Sequence, residues 1–463
     1  MLRLFRNLIP IHALTLLLSE LVLFVSCFVL ASMVVLEVDP TVFLLYDGGA
    51  ERILIAVSSI LLALYFHDLY THILVRSRIL LIQQSCQVIG IAFLLQALLN
   101  YVNTDLMLPR WLMIIGSGLA LISMVVWRLI YAGFVLRAVG EAKVLFLGEN
   151  ELAREMADQI AEHPELGITV LGYINSAAAP GEDWPGMKLL GGVEKLKEIV
   201  AATKPDRIVI GMRERRLRLP VIDLMDIRLS GIRVEEATTA FEGVCKRISL
   251  KDLRPSQFIF SNELGPNPGS VAAQTVYSFL IALIGTALTA PLMIVVAAAI
   301  RLTSPGPILF RQTRVGTHGR AFVLYKFRSM REDAEAKTGA VWATKDDPRV
   351  TPIGRWLRKI RLDELPQFLN VLKGQMSIVG PRPERPEFVE TLAAVIPFYR
   401  QRHWVKPGIT GWAQVNHKYG DTVEDAATKL EYDLYYIKNL SFSMDVFIIL
   451  RTIKTLLLGR GAQ

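Results

Sequence analysis

The chain of 463 residues is 52% hydrophobic and 20% charged, and its mean hydropathy is positive, which excludes a purely soluble protein and leaves length for two or three domains. A formal charge of +8 could suit nucleic acid, but beside long apolar runs it points to anionic lipid and phosphorylated small molecules, with no nucleic acid as partner. Three cysteines, Cys27 and Cys86 inside apolar runs and Cys245 beyond them, give no disulfide framework.

Four apolar runs fill the first third, at 11–36, 53–66, 79–99 and 111–135. Three approach or exceed the roughly 18 to 20 residues that cross a hydrocarbon core; the second is shorter. The first is too long for a signal peptide and lacks a small-residue cleavage site, so it is expected to stay as an anchor. Arg3 and Arg6 precede it, and Glu37, Asp39, Asp47 and Glu51 follow it. Arg76 and Arg78 lie between the second and third runs, and Arg137 and Lys143 follow the fourth. Basic residues keep to the cytoplasmic side, so residues 1–140 read as a four-helix transmembrane region with both ends in the cytoplasm. Glu20 stands alone in its run and Arg128 lies near an inner end from which it can snorkel; both read as structural.

Residues 141–262 have the composition of a soluble α/β domain. Strand patterns at 143–148, 168–174, 207–210 and 233–235 alternate with helical sequence such as 151–161, the signature of a parallel, Rossmann-like sheet. The first turn reads Gly148-Glu149-Asn150-Glu151-Leu152-Ala153. Only the first glycine of a dinucleotide fingerprint survives there, and two glutamates would repel an anion, so a structural or regulatory role is expected in place of nucleotide binding.

Residues 271–300 carry no charge and are interrupted by Pro291. As one straight helix they would reach about 45 Å, more than a hydrocarbon core needs, and a proline breaks or kinks a helix. Lys246, Arg247, Lys251 and Arg254 lie before the run, and Arg301, Arg311, Arg314 and Arg320 after it. Positive flanks at both ends predict a re-entrant hairpin bent at Pro291, entering and leaving on the cytoplasmic side; the alternative is a kinked full span, which would put Asp363 and the middle domain on opposite faces.

A basic amphipathic run follows at 351–362, with Thr351 as N-cap, Pro352 at the first helical position, and Ile353, Trp356, Leu357 and Ile360 on one face. It is expected to lie on an anionic membrane surface. Asp363-Glu364 closes it, and a second short helix pattern occupies 365–374. A carboxylate pair among cations suggests phosphate chemistry: an aspartate can divide a phosphoryl transfer into two displacements, and one or two carboxylates with substrate phosphates suit Mg²⁺. Arg311, Arg314, Lys326, Arg328 and Arg382 are candidate phosphate contacts. Trp404 and Trp412 read as interfacial anchors, and 442–458 as an interfacial helix or part of the catalytic core.

Ser304-Pro305-Gly306-Pro307, Lys326-Phe327-Arg328-Ser329-Met330, Leu362-Asp363-Glu364-Leu365-Pro366-Gln367, Gly380-Pro381-Arg382-Pro383 and Lys406-Pro407-Gly408-Ile409-Thr410-Gly411-Trp412 occur in this order. Together they resemble the bacterial sugar transferases, monotopic phosphoglycosyl transferases that use a polyprenyl phosphate acceptor, over roughly residues 271–458. The four spans and degenerate α/β domain look like the large branch of that family, found in exopolysaccharide and O-antigen initiation. One departure is Ala290-Pro291, where small members often carry Ser-Pro; a hydroxyl contribution to the bend is absent at that position.

The resemblance implies a membrane α plus α/β protein: four transmembrane helices at 1–140, a Rossmann-like cytoplasmic domain at 141–262, and at 270–463 a mainly helical catalytic domain with the re-entrant helix 271–300. It implies transfer of a sugar 1-phosphate, glucose or galactose, from a UDP-sugar to undecaprenyl phosphate with release of UMP, at the bacterial inner membrane and on its cytoplasmic face. Asp363 would be the nucleophile of an acyl-phosphate intermediate, and Glu364 either an Mg²⁺ ligand or a base for the lipid phosphate. A homo-oligomer is left open. The competing readings are a membrane-anchored nucleotide-sugar dehydratase or epimerase, which would need an intact dinucleotide loop and a Tyr-x-x-x-Lys pair, and a nonenzymatic polysaccharide assembly protein.

Overall fold

The computed structural model describes residues 11–36, 39–67, 69–70, 78–132, 142–148, 150–163, 166–175, 184, 187–212, 219–251, 253, 265–331, 349–417, 420 and 422–457. Arg3, Arg6, Glu37, Arg76, Arg137, Glu149 and Arg254, and the last part of the fourth apolar run, lie outside the described residues. The chain is mostly helical and divides into two compact units, residues 1–237 and 238–463.

In the first unit the apolar runs form α1 (Ile11–Val35), α3 (Gly49–Phe66), α4 (Arg78–Val102) and α5 (Arg110–Ile130), with the short α2 (Pro40–Leu45) after α1. Each of the four longer helices is long and apolar enough to cross a membrane. Phe24, Phe28, Val57, Ile60, Leu64, Leu112 and Met124 form their shared core, and Gly116 lets α5 close on the Phe28 ring, which an added Cβ would overlap. The α1–α5 seam also carries polar contacts. Ser19 accepts a hydrogen bond from the Trp127 indole at 2.9 Å, and Cys27 meets Ser123 at 3.3 Å. Glu20 does not stand alone, and Arg128 does not snorkel outward. The two pair at 2.6 Å, fully buried, with Tyr70 donating to the same carboxylate at 2.7 Å and Arg128 donating to the Leu69 carbonyl at 2.9 Å. Mutual neutralisation is what makes two charges tolerable in an apolar bundle.

The same unit contains a five-stranded parallel sheet, β1 (Ala142–Leu147), β2 (Ile168–Asn175), β3 (Leu189–Gly192), β4 (Arg207–Ile210) and β5 (Arg233–Glu236), in the order β3-β2-β1-β4-β5. Between the strands run α6 (Glu151–Glu162), α7 (Leu196–Thr203) and α8 (Val221–Leu229). Leu145, Leu147, Ile174, Ile208, Leu196 and Leu224 pack into one core. At the β1–α6 turn Gly148 takes φ +82° with Met212 against it, and the Asn150 side chain caps α6 by accepting from the Ala153 amide at 2.8 Å. The helix end that receives a pyrophosphate in a dinucleotide fold here carries its own cap.

The second unit begins in α9 (Ala237–Cys245) and continues with α10 (Pro268–Thr303), one helix of 36 residues that contains Pro291. Straight, it would measure about 54 Å. Towards its start, Gln274 donates to the Val379 carbonyl at 3.2 Å and to Asp445 at 2.7 Å, and Ser278 accepts from the Ile378 amide at 3.3 Å. Towards its end, Val296 and Ile300 pack with Phe327 and Leu357. Between these anchors Leu283, Ile284, Leu288, Ile294 and Val295 are exposed. Thr286 and Thr289 return their hydroxyls to the carbonyls of Ala282 and Gly285, each at 2.7 Å, in the turn before Pro291. Back-bonding of this kind slightly favours bending of a helix.

After α10 come the antiparallel hairpin β6 (Leu309–Val315) and β7 (Ala321–Phe327), then α11 (Pro352–Lys359) and α12 (Gln367–Leu372). The parallel pair β8 (Ser377–Val379) and β9 (Gly408–Thr410) is separated in sequence by α13 (Pro386–Val395). The chain closes with α14 (Trp412–Asn416), α15 (Val423–Lys438) and α16 (Phe442–Leu457). Two expectations are corrected here. Trp412 is buried, stacked on Tyr435 with its indole donating to the Lys246 carbonyl at 2.9 Å, so it fills protein core and is no interfacial anchor. The apolar face of α11 is divided: Leu357 packs inward with Ile353, and only Trp356 and Ile360 stay exposed.

Candidate active site

Local structure first explains how the carboxylate pair is displayed. Thr351 caps α11, accepting from the Gly354 amide at 3.0 Å, and its own amide donates to the Ser329 carbonyl at 3.0 Å. Gly354 is required there, because a Cβ would overlap that same carbonyl. Arg361 ends the helix in the left-handed region at φ +55°, and the chain turns through one 3₁₀ turn, Leu362–Glu364, before α12. Asp363 and Glu364 sit on this turn, both buried.

Their surroundings differ. Glu364 Oε1 accepts from Lys326 Nζ of β7 at 2.9 Å and from Arg382 Nη2 at 3.1 Å, while Arg361 lies 3.8 Å from Oε2. Burial would raise this carboxyl, but Lys326, Arg382 and Arg361 override it and hold it well below the usual carboxylate range. Such a group is a poor proton acceptor, and its lone pairs are committed to cations. No side chain among the described residues hydrogen-bonds the Asp363 carboxylate. Burial raises its pKa, with Lys326 pulling the other way and Glu364 adding to the rise. Burial likewise lowers Lys326, against the attraction of Glu364.

Of the five cations expected to contact phosphate, Lys326 and Arg382 meet at Glu364. The others sit elsewhere. Arg328 binds Ser304 through its carbonyl at 2.8 Å and its hydroxyl at 2.6 Å, at the exit of α10, and its buried Nη1 has no partner among the described residues. Arg314 braces the Gly380–Glu384 loop, donating to the Pro383 carbonyl at 3.1 Å with Glu384 at 3.5 Å. Arg311 lies over the Tyr325 ring, whose hydroxyl accepts from Lys373 at 3.0 Å. Two further cations of the basic run 351–362 also act on the dyad: Arg358 lowers the Asp363 carboxyl and Arg361 that of Glu364. Their placement at the C-terminal end of α11, just before the acidic pair, was the available signal.

The two glycine-rich motifs interlock behind Arg382. The Gly380 amide donates to the Thr410 carbonyl at 2.9 Å and the Gly408 amide to the Pro381 carbonyl at 3.0 Å. Gly380, Gly408 and Gly411 each pass so close to the other strand's backbone that a Cβ would overlap it. For a metal ion the donor set is spare: no group of three or more His, Cys, Asp or Glu side chains suited to a metal occurs among the described residues. Asp363 remains as the dyad carboxylate not hydrogen-bonded by a side chain among the described residues, a donor that fits Mg²⁺ when substrate phosphates and waters supply the other oxygens.

Comparison with known proteins places this arrangement. The family described as "Bacterial sugar transferase" matches residues 270–459. Over 346 residues the chain is 34% identical to a UDP-glucose:undecaprenyl-phosphate glucose-1-phosphate transferase of Xanthomonas campestris pv. campestris, covering 72% of this chain and 71% of that one. The chain belongs to the bacterial sugar transferase family. Its members of this kind are phosphoglycosyl transferases, and every site residue described above lies inside the matched region. A UDP-glucose:undecaprenyl-phosphate glucose-1-phosphate transferase of Escherichia coli (strain K12) is 35% identical over 318 residues, 67% of this chain and 66% of the relative. A UDP-N-acetylgalactosamine-undecaprenyl-phosphate N-acetylgalactosaminephosphotransferase of Aeromonas hydrophila is 50% identical over 202 residues, 42% of this chain. The chain spans about half, 48%, of that Aeromonas relative's length.

Proposed function

We propose that this protein transfers a sugar 1-phosphate from a UDP-sugar, glucose or galactose among the candidates, to undecaprenyl phosphate with release of UMP, initiating exopolysaccharide or O-antigen assembly. The observation that carries the reading is the contrast within the dyad: Glu364 is saturated by Lys326 and Arg382, whereas Asp363 beside it is engaged by no hydrogen-bond donor among the described residues. Two adjacent carboxylates in opposed environments take different roles.

In the first step an Asp363 oxygen attacks the β-phosphorus of the UDP-sugar. The bond from that phosphorus to the bridging oxygen breaks, and its electron pair leaves with UMP. In the second, an oxygen of undecaprenyl phosphate attacks the acyl phosphate, and the Asp363–phosphorus linkage breaks to regenerate the carboxylate. Lys326 and Arg382, already held at Glu364, offset charge on the transferring phosphoryl group. Glu364 then serves as the counter-charge that fixes both cations, in preference to metal ligand or base. Magnesium, when bound, would be held by Asp363 with the diphosphate oxygens and would screen phosphate charge. Arg328, Arg314 and Arg311 act outside the dyad, as braces and rim.

Both anchored ends of α10 support a re-entrant reading of that helix, with the exposed stretch around Pro291 in lipid, and the parallel-sheet and catalytic domains read as facing the cytoplasm at a bacterial inner membrane. The test of function is a screen of the purified full-length protein in lipid nanodiscs with undecaprenyl phosphate, Mg²⁺ and UDP-glucose, UDP-galactose or UDP-N-acetylgalactosamine. We expect UMP release with at least one donor, and radiolabel from the β-phosphate retained on wild-type protein but not on Asp363→Asn. Undiminished turnover by Asp363→Asn would remove the nucleophile assignment.

A further inference from the structure

Arg382 reaches the dyad from a loop, and what directs it lies behind that loop. Pro381 and Pro383 flank it, fixing their own φ and keeping Arg382 extended. The remaining freedom is the orientation of the Arg382 peptide, and its carbonyl is gripped from the far side by Arg402 Nη2 at 3.0 Å. Arg402 belongs to the 3₁₀ turn Tyr399–Trp404, is 6% exposed, and donates through Nη1 to the Tyr399 hydroxyl at 2.7 Å. Its ion-pair partner is Asp433, at 2.8 Å and 1% exposed, in the middle of α15. That helix is itself held at its start by the Thr422/Asp425 capping box.

A buried ion pair is weak evidence of stability, since well-packed apolar residues of similar volume often do as well. Burial pushes the Asp433 carboxyl up to about 6 against the pull of Arg402, with Glu384 adding to the rise and Lys429 opposing it. The pair is therefore kept at a cost, at the one place where it touches the backbone of a dyad cation. We propose that Asp433 and Arg402 are positioning residues for the phosphoryl-transfer step: by fixing the Arg382 carbonyl they aim its guanidinium at Glu364 and at the phosphoryl group beside Asp363. This rests on the transfer reading given above.

A double-mutant cycle on the full-length protein in nanodiscs tests it, with UDP-glucose and UDP-N-acetylgalactosamine as parallel donors. If Asp433 acts through Arg382, Asp433→Asn lowers kcat by about 10- to 100-fold with a much smaller change in KM. Its effect should then vanish in an Arg382→Ala background, leaving the double variant within about twofold of Arg382→Ala alone, because coupled residues are non-additive. Losses that multiply, with thermal unfolding unchanged, would overturn the proposal. Should Asp433→Asn fail to fold, Arg402→Lys replaces it in the cycle; it keeps the charge beside Asp433 but cannot span both Tyr399 and the Arg382 carbonyl, and the same two outcomes decide. A wild-type protein that releases no UMP from either donor takes down the transfer reading and this inference with it, a result distinct from multiplicative losses in an active enzyme.

Discussion

Asp363 and Glu364 are neighbours in sequence, yet they hold their charges for different reasons. Glu364 is ionised because Lys326, Arg382 and Arg361 surround it; Asp363 is shifted upward by burial and restrained mainly by Lys326. After burial, Lys326 is the strongest influence on the Asp363 carboxyl, the proposed nucleophile. Replacing it with methionine removes the main influence that lowers the Asp363 carboxyl while leaving the burial that raises it. The proton is then retained to higher pH, so the acid limb of the kcat profile should move upward, with activity at pH 6 falling more than activity at pH 8. The loss at the optimum should be about 100-fold or more, the scale of removing one preorganised transition-state charge. A profile that drops uniformly without moving would mean that Lys326 binds substrate but does not set Asp363.

Elements show which physical signals survive in a sequence. The apolar helices and four of the five parallel strands could be read directly, because long apolar runs and β–α alternation are local patterns. β3 is four residues with two glycines, β8 and β9 are three residues each, and β6 carries Arg311 and Arg314, whose charges interrupt the apolar pattern of a strand. Contacts across long separations left no trace: Glu20 finds Arg128 108 residues on. That pair ties α1 to α5. Glu20→Ala would leave Arg128 buried without its carboxylate, and we expect a loss of about 3–5 kcal/mol in the denaturation of the protein in mild detergent, whereas a change within a few tenths would mean that Arg128 finds water. The interlocked motifs make a second prediction at this scale. Gly411→Ala drives a methyl into the Gly380 carbonyl and should destabilise by about 1–3 kcal/mol, while Gly243→Ala, whose added methyl meets nothing within 4 Å, should not.

For the whole molecule the question is where α10 goes. Its 36 residues exceed what a hydrocarbon core of about 30 Å needs by some 16 residues, so the surplus must be packed somewhere. The helix start is fixed to Val379 and Asp445 and its end to Phe327 and Leu357, all within the second unit, and the exposed apolar stretch between them contains Pro291 and the two back-bonded threonines. A straight crossing would carry one of these anchors through the bilayer, stripping either Gln274 and Ser278 or Val296 and Ile300 of their partners. The proposed re-entrant course would keep both, and would hold the dyad at the lipid surface, where the proposed nucleotide sugar and membrane-held phosphate could meet. In a background with Cys27, Cys86 and Cys245 replaced, Gly265→Cys and Pro305→Cys should both react with a membrane-impermeant maleimide in inverted inner-membrane vesicles and neither in intact spheroplasts. Labelling of the two positions from opposite sides would establish a full crossing, and Asp363 would then lie across the membrane from Gly265.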